Sequence, residues 1–203
     1  MATIIYTLNN NNRVTIAYSA MNGKESTLFN PTCHAYFNLS DRRDLATHEL
    51  KINSDEILDV NEQMIPTGET LSVANTPYDF QDFENVAVGE VHGLDTAYVV
   101  NGPGQGIKPV AILRDKESGR QITINSDRNG LVIYTPEEIA GQNLSFTRDH
   151  GEPANKNEGI ALEAQMLPDA IHQDTFGDIV LPPYSQQTYR FSFTYNKVGH
   201  EDL

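Results

Sequence analysis

Ile160-Ala161-Leu162-Glu163-Ala164-Gln165-Met166-Leu167-Pro168-Asp169-Ala170 reads as a β-strand that carries a carboxylate. Side chains alternate between the two faces of a strand, so Ile160, Leu162, Ala164 and Met166 share an apolar face while Ala161, Glu163 and Gln165 share the other. Glu163 is thereby fixed on a stiff element. A carboxylate in that position is either the buried partner of a cation or a base held toward a cleft.

A second segment has the same character. In Phe29-Asn30-Pro31-Thr32-Cys33-His34-Ala35-Tyr36-Phe37-Asn38-Leu39, alternation puts Phe29, Pro31, Cys33, Ala35, Phe37 and Leu39 on one side. Asn30, Thr32, His34, Tyr36 and Asn38 fall on the other, a row of hydrogen-bonding groups around an imidazole. Such a face suits a sugar, which offers hydroxyls to donors and acceptors and a C–H face to an aromatic ring. A solvent-facing polar surface with an incidental histidine is the alternative.

Outward from these two segments the chain reads as many short strands separated by turns. Ile4, Tyr6 and Leu8 alternate, Asn9-Asn10-Asn11-Asn12 turns, and Val14, Ile16 and Tyr18 alternate again, which predicts a hairpin. Val110–Leu113, the turn over 115–119 and Ile122–Ile124 predict another, followed by a turn at 127–130 into Leu131–Tyr134. Tyr189, Phe191, Phe193 and Tyr195 give a last strand with one aromatic face. No segment of about ten residues carries a 3.6-residue period, so helices are expected to be minor. The fold class is all-β, an antiparallel β-sandwich.

Composition bounds the function classes. The length of 203 residues suffices for a sizeable core, as one large all-β domain or two smaller ones. A net charge of -14 argues against nucleic acid and against an anionic membrane surface as partners. The single cysteine, Cys33, excludes an internal disulfide framework and fits a reducing compartment. No apolar run approaches about 18 residues and no basic-then-apolar leader is present, so a cytoplasmic location is expected. Gly102-Pro103-Gly104-Gln105-Gly106 has no following helix to present to a phosphate, and reads as a loop. The six histidines lack metal-ligand spacing, and Cys33 and His34 point to opposite faces, so no metal is expected. Asp79, Asp82 and Glu84 read as a solvated stretch, Asn143-Leu144-Ser145 as a chance glycosylation match, and Arg148–Asn157 as a polar lip ahead of the Glu163 strand.

Four pieces in register resemble the galactose mutarotase (aldose 1-epimerase) family over nearly the whole chain. They are Asn30–Leu39; Ile65-Pro66-Thr67-Gly68-Glu69 with Thr76-Pro77-Tyr78-Asp79-Phe80; Gly93-Leu94-Asp95; and Leu162-Glu163-Ala164-Gln165 with Pro168-Asp169-Ala170. The resemblance implies a single mutarotase-like supersandwich domain over residues 1–203. It also implies Glu163 as general base, His34 as general acid and Asp95 as a ligand for sugar hydroxyls, with Tyr36 on the same face as His34. No cofactor is required. Family members are longer at the N-terminus, and that portion brings an arginine and a further histidine to the sugar. Here Met1 leads at once into the strand Thr3–Leu8, so the chain resembles the C-terminal two-thirds of such an enzyme. Cys33 stands where the family usually has Asn. The segment Tyr134–Phe146 fits the family's glutamine-bearing loop poorly, which leaves Gln142 and Asn143 as alternative substrate contacts.

A glutamate and a histidine on facing polar surfaces fit the interconversion of α and β anomers of a hexose such as galactose or glucose. A glycosidase would need a second carboxylate about 5 to 10 Å from Glu163, and no strand offers one convincingly. The stronger rival is a catalytically impaired sugar-binding or structural fragment that needs a separate N-terminal half. Expected partners are therefore a small-molecule sugar and either that half or a second copy, joined through an open sheet edge.

Overall fold

Asn9 closes the first hairpin with its own side chain: Oδ1 accepts the backbone N–H of Asn11 at 2.9 Å and of Arg13 at 3.3 Å. Asn12 turns the chain at φ 53°, a conformation that asparagine tolerates better than most residues. Strands β1 (Ala2–Leu8) and β2 (Arg13–Met21) consequently pair antiparallel. The second expected hairpin forms between β10 (Lys108–Asp115) and β11 (Arg120–Ser126). Its turn requires Gly119, which has φ 70° and whose missing Cβ would lie 2.6 Å from the Val198 carbonyl oxygen.

The structure is a computed structural model that describes residues 1–87, 93–104, 106–136 and 157–199. A seven-stranded sheet runs in the order β1, β2, β15 (Gln186–Lys197), β11, β10, β5 (His48–Ile52) and β8 (Glu84–Asn85). A six-stranded sheet runs β4 (Tyr36–Phe37), β13 (Ile160–Gln165), β12 (Gly130–Tyr134), β9 (Asp95–Val100), β6 (Ser54–Val60) and β7 (Pro66–Ser72). Strands β3 (Thr27–Leu28) and β14 (Val180–Leu181) form a small separate pair. Every pairing among the described residues is antiparallel. The only helical element among the described residues is a 3-10 turn at Asp174–Phe176.

The core lies between the two large sheets. Ile16, Leu50, Leu113, Ile124 and Phe191 from one face Tyr98, Leu131, Ile133, Ile160 and Leu162 from the other. Each such side chain contributes roughly 1.5–3 kcal/mol by leaving water. The far side of the six-stranded sheet is half covered as well. There the segment after β13 lays Leu167, Ala170, Phe176 and Ile179 over Leu58, Ala97 and Val99. Strand β13 is itself buried on both faces, with only Gln165 partly open.

The strand expected over residues 29–39 is confined to Tyr36–Phe37, which pair with Ala161 and Ile160. Phe29, Cys33, Phe37 and Leu39 do reach the core, so the alternation of faces is right while the ladder is missing. Pro31 has no N–H to give, and polar side chains replace the backbone bonds. Asn30 bonds to Met166, and Thr32 Oγ1 donates to the Ala164 carbonyl at 3.4 Å. Asn38 Nδ2 serves three carbonyls, those of Arg42, Asp44 and Glu158. The supposed row of sugar-binding groups is therefore mostly internal scaffolding, which leaves His34 and Tyr36.

Candidate active site

The register of the six-stranded sheet sets four side chains in a row across its outer face. Tyr36 on β4 stands opposite Ala161 on β13, Ala161 opposite Tyr134 on β12, and Tyr134 opposite Asp95 on β9. The next row, two residues along each strand, is Glu163, Val132 and Ala97. The hydrophobic layer under Leu167 and Phe176 begins at Ala97 and closes that end. Asp95 is fixed at the start of its strand by Leu94 and Thr135. The Leu94 N–H donates to Thr135 Oγ1 at 2.7 Å, and the Thr135 N–H donates to the Leu94 carbonyl at 2.8 Å.

His34 arrives from the coil that runs beside β13. Its Nε2 lies 3.4 Å from Glu163 Oε1. The imidazole leans on two aromatic rings, with centroids 4.9 Å from Tyr36 and 5.7 Å from Tyr134, and the tyrosines meet each other edge to face at 6.3 Å. Tyr134 was not singled out by sequence. Its strand was legible, but its place in the site follows from pairing with Asp95, a non-local fact that no local pattern carries.

Burial pushes the Glu163 carboxyl above its ordinary value; the nearby His34 opposes this and the negative charge of Asp95 adds to it. The Tyr36 phenol is likewise raised, by partial burial first and then by Tyr134 and Glu163. The arrangement is a carboxylate of enhanced basicity facing an imidazole, beside an aromatic wall and a further carboxylate. It can move a proton at each of two neighbouring atoms of a small polar molecule. Gln142 and Asn143 lie outside the described residues, as does most of the polar lip over 148–157. Among the described residues no three His, Cys, Asp or Glu side chains converge as metal ligands, and no helix is long and apolar enough to cross a membrane. The glycine-rich loop serves Lys108, whose Nζ donates to the carbonyls of Asn101 and Gly102.

Similarity to known proteins identifies the family and the fold. The model of the family described as aldose 1-epimerase matches residues 1–195. An aldose 1-epimerase of Streptococcus thermophilus is 48% identical over 196 residues, covering 95% of this chain and 56% of that protein. A maltose epimerase of Levilactobacillus brevis is 37% identical over 203 residues, covering 96% and 56%. Among solved structures, an aldose epimerase homologue from C. elegans superposes with a TM-score of 0.82 at 25% identity, covering 97% of this chain and 59% of that one. The chain thus spans a little over half the length of the curated relatives it matches. The family match extends over nearly all of the sequence and the backbone follows the same supersandwich, so the chain belongs to the aldose 1-epimerase family.

Proposed function

We propose that this chain carries the acid–base pair of an aldose 1-epimerase, with Glu163 as general base and His34 as general acid, acting on a hexose such as galactose or glucose. The approach of His34 Nε2 to Glu163 Oε1, 3.4 Å, is the observation that carries the reading. Ionised Glu163 takes the proton from the C1 hydroxyl while protonated His34 gives one to the ring oxygen. The bond from C1 to the ring oxygen breaks, leaving an open-chain aldehyde. Rotation about C1–C2 presents the other face of the carbonyl, and the two proton transfers run in reverse to close the opposite anomer. Atoms and charge balance with no external reagent. Acid and base each contribute roughly 100- to 10,000-fold. Asp95 holds sugar hydroxyls, Tyr36 packs against the ring's C–H face, and Gln142 or Asn143 supplies a further contact; these orient the substrate. The L. brevis relative is named for maltose, so a free anomeric centre is the shared requirement in our reading. The cytoplasm is the proposed location.

Polarimetry on freshly dissolved α-D-glucose and α-D-galactose tests this. Mutarotation is accelerated, and Glu163→Gln removes about 100-fold or more of the acceleration by keeping the shape and deleting the basicity. Activity that survives the substitution places the base elsewhere.

One observation favours a second reading, sugar binding without turnover unless another polypeptide joins the chain. Ile4, Tyr6 and Leu8 of β1 lie on the core side of their sheet, yet they are 53%, 65% and 74% exposed. A separate polypeptide of the same family or a second copy, lying along β1, is the proposed cover. Light scattering with the polarimetric assay decides: a stable monomer with full activity excludes it.

A further inference from the structure

The end of β13 is gripped from both sides by asparagine side chains. Asn30 Nδ2 donates to the Met166 carbonyl and its Oδ1 accepts the Met166 N–H, both at 3.0 Å, so the amide stands in for the peptide of a neighbouring strand. On the next residue, Asn129 Oδ1 accepts the Leu167 N–H at 3.1 Å while its Nδ2 donates to the Phe176 carbonyl at 2.7 Å. Arg128 reinforces the first grip, donating from Nη2 to Asn30 Oδ1 at 2.7 Å.

Arg128 is an expensive residue in that position. It is 3% exposed, its guanidinium carbon sits 3.5 Å from the centroid of the Tyr189 ring, and its Nε and Nη1 have no acceptor among the described residues. Burying a cation with so few partners costs stability. What it adds is a short charge-assisted bond that fixes the orientation of the Asn30 amide. Tyr189 also stacks on Phe29, at 5.5 Å between centroids, so Phe29 and Asn30 are tied to one cluster.

That cluster sets how the His34 segment lies along the Glu163 strand. Asn30 stands beside Met166 and Thr32 beside Ala164, whereas Tyr36 pairs with Ala161 and Phe37 with Ile160. The register slips by one residue between Thr32 and Tyr36, and His34 occupies the slip. Irregularities of this kind re-aim a side chain.

We propose that Arg128, acting through Asn30, is a positioning residue for the acid–base pair: it locks the register of the coil against β13 and thereby sets the separation of His34 from Glu163. The kinetic consequence rests on the function proposed above; the positional one does not. Both are tested with Arg128→Met and Asn30→Ser in the full chain, folding being checked by circular dichroism. The carboxyl resonance of Glu163, assigned by its absence in Glu163→Gln, is titrated by 13C NMR. Each variant moves the Glu163 midpoint upward, because the His34 charge that opposes the effect of burial withdraws with the loosened coil. The double variant moves it no further than the larger single one, because both cut the same link. Arg128→Lys, which can still donate to Asn30, keeps most of the wild-type titration. Where mutarotation is measurable, kcat falls about 10- to 100-fold with KM within about twofold. Folded variants with an unshifted Glu163 midpoint, or shifts that add, overturn the proposal whether or not the protein turns over sugar. If Arg128→Met does not fold, an unshifted midpoint in Asn30→Ser is sufficient to overturn it.

Discussion

His34 and Glu163 stand 3.4 Å apart, yet 48% of the histidine side chain is open to solvent against 10% of the glutamate's. The pair is thus asymmetric: Glu163 is held in the sheet while His34 sits at the mouth. Protons can exchange between bulk water and the imidazole without any opening of the strand that carries Glu163.

Activity should rise with pH through a midpoint above the ordinary glutamate value. In the proposed mechanism Glu163 works only when ionised, and burial together with the Asp95 charge pushes its carboxyl up against the opposing effect of His34. Asp95→Asn removes one upward push and moves this acid limb to lower pH. A pH–rate profile whose acid limb ignores Asp95→Asn contradicts the assignment.

The same raised carboxyl predicts a gain of stability on removing it. A group that binds its proton more tightly folded than unfolded stabilises at low pH, and that contribution is lost as pH rises from the unfolded value through the folded one. Above that window, Glu163→Gln should melt at a higher temperature than the parent protein. At pH 4 and below the advantage narrows. Calorimetry across the range reads the difference directly.

His48 predicts the opposite slope. It is fully buried, its Nε2 accepts the Leu39 N–H at 2.8 Å, and the proton therefore resides on Nδ1. Burial holds its pKa down, against the upward pull of Asp115 and Asp44. The unfolded chain takes up the proton first, so this contribution is complete above about pH 6.5 and is lost as pH falls toward the folded pKa. Urea titrations from pH 5 to 8 should show stability climbing with pH, and His48→Gln should flatten the climb.

Gly159 lies just before β13, where an added Cβ would meet Tyr36 Cβ at 3.2 Å and the Phe37 carbonyl oxygen at 3.4 Å. Gly159→Ala should press β4 outward, cost about 1–3 kcal/mol as overpacking, and weaken activity through a displaced Tyr36. Denaturant midpoints and polarimetry check the two effects. Unchanged values for both mean that β4 yields freely.

The elements legible in the sequence are those whose pattern is local. The hairpin around Asn9–Asn12, the hairpin of β10 and β11, and the strands at Leu131–Tyr134, Ile160–Gln165 and Tyr189–Tyr195 all form as alternation and turn chemistry indicate. The segment at 29–39 misled because side chains of Asn30, Thr32 and Asn38 took over bonds that a ladder would make through the backbone. Side-chain direction survived that change, so His34 and Tyr36 still reach the site face. Tyr134 and Arg128 escaped notice for the converse reason: each owes its place to a partner distant in sequence, Asp95 for one and Asn30 for the other.

Strand β1 has a further consequence, in how the chain behaves as a colloid. Ala-Thr-Ile-Ile-Tyr-Thr-Leu contains no charge and no proline, and it is hydrogen-bonded to β2 along one side only. Edge strands are commonly guarded by a lysine, a bulge or a proline. Here the guard is remote, the net charge of -14 that makes two copies repel. Such protection is ionic: about 1 M salt shrinks its reach to roughly 3 Å, and acidification toward the isoelectric point near 4.7 abolishes it. Under either condition association between copies is expected to start along β1, and a lysine in place of Ile5, on the face turned away from the core, would carry the guard within the strand itself.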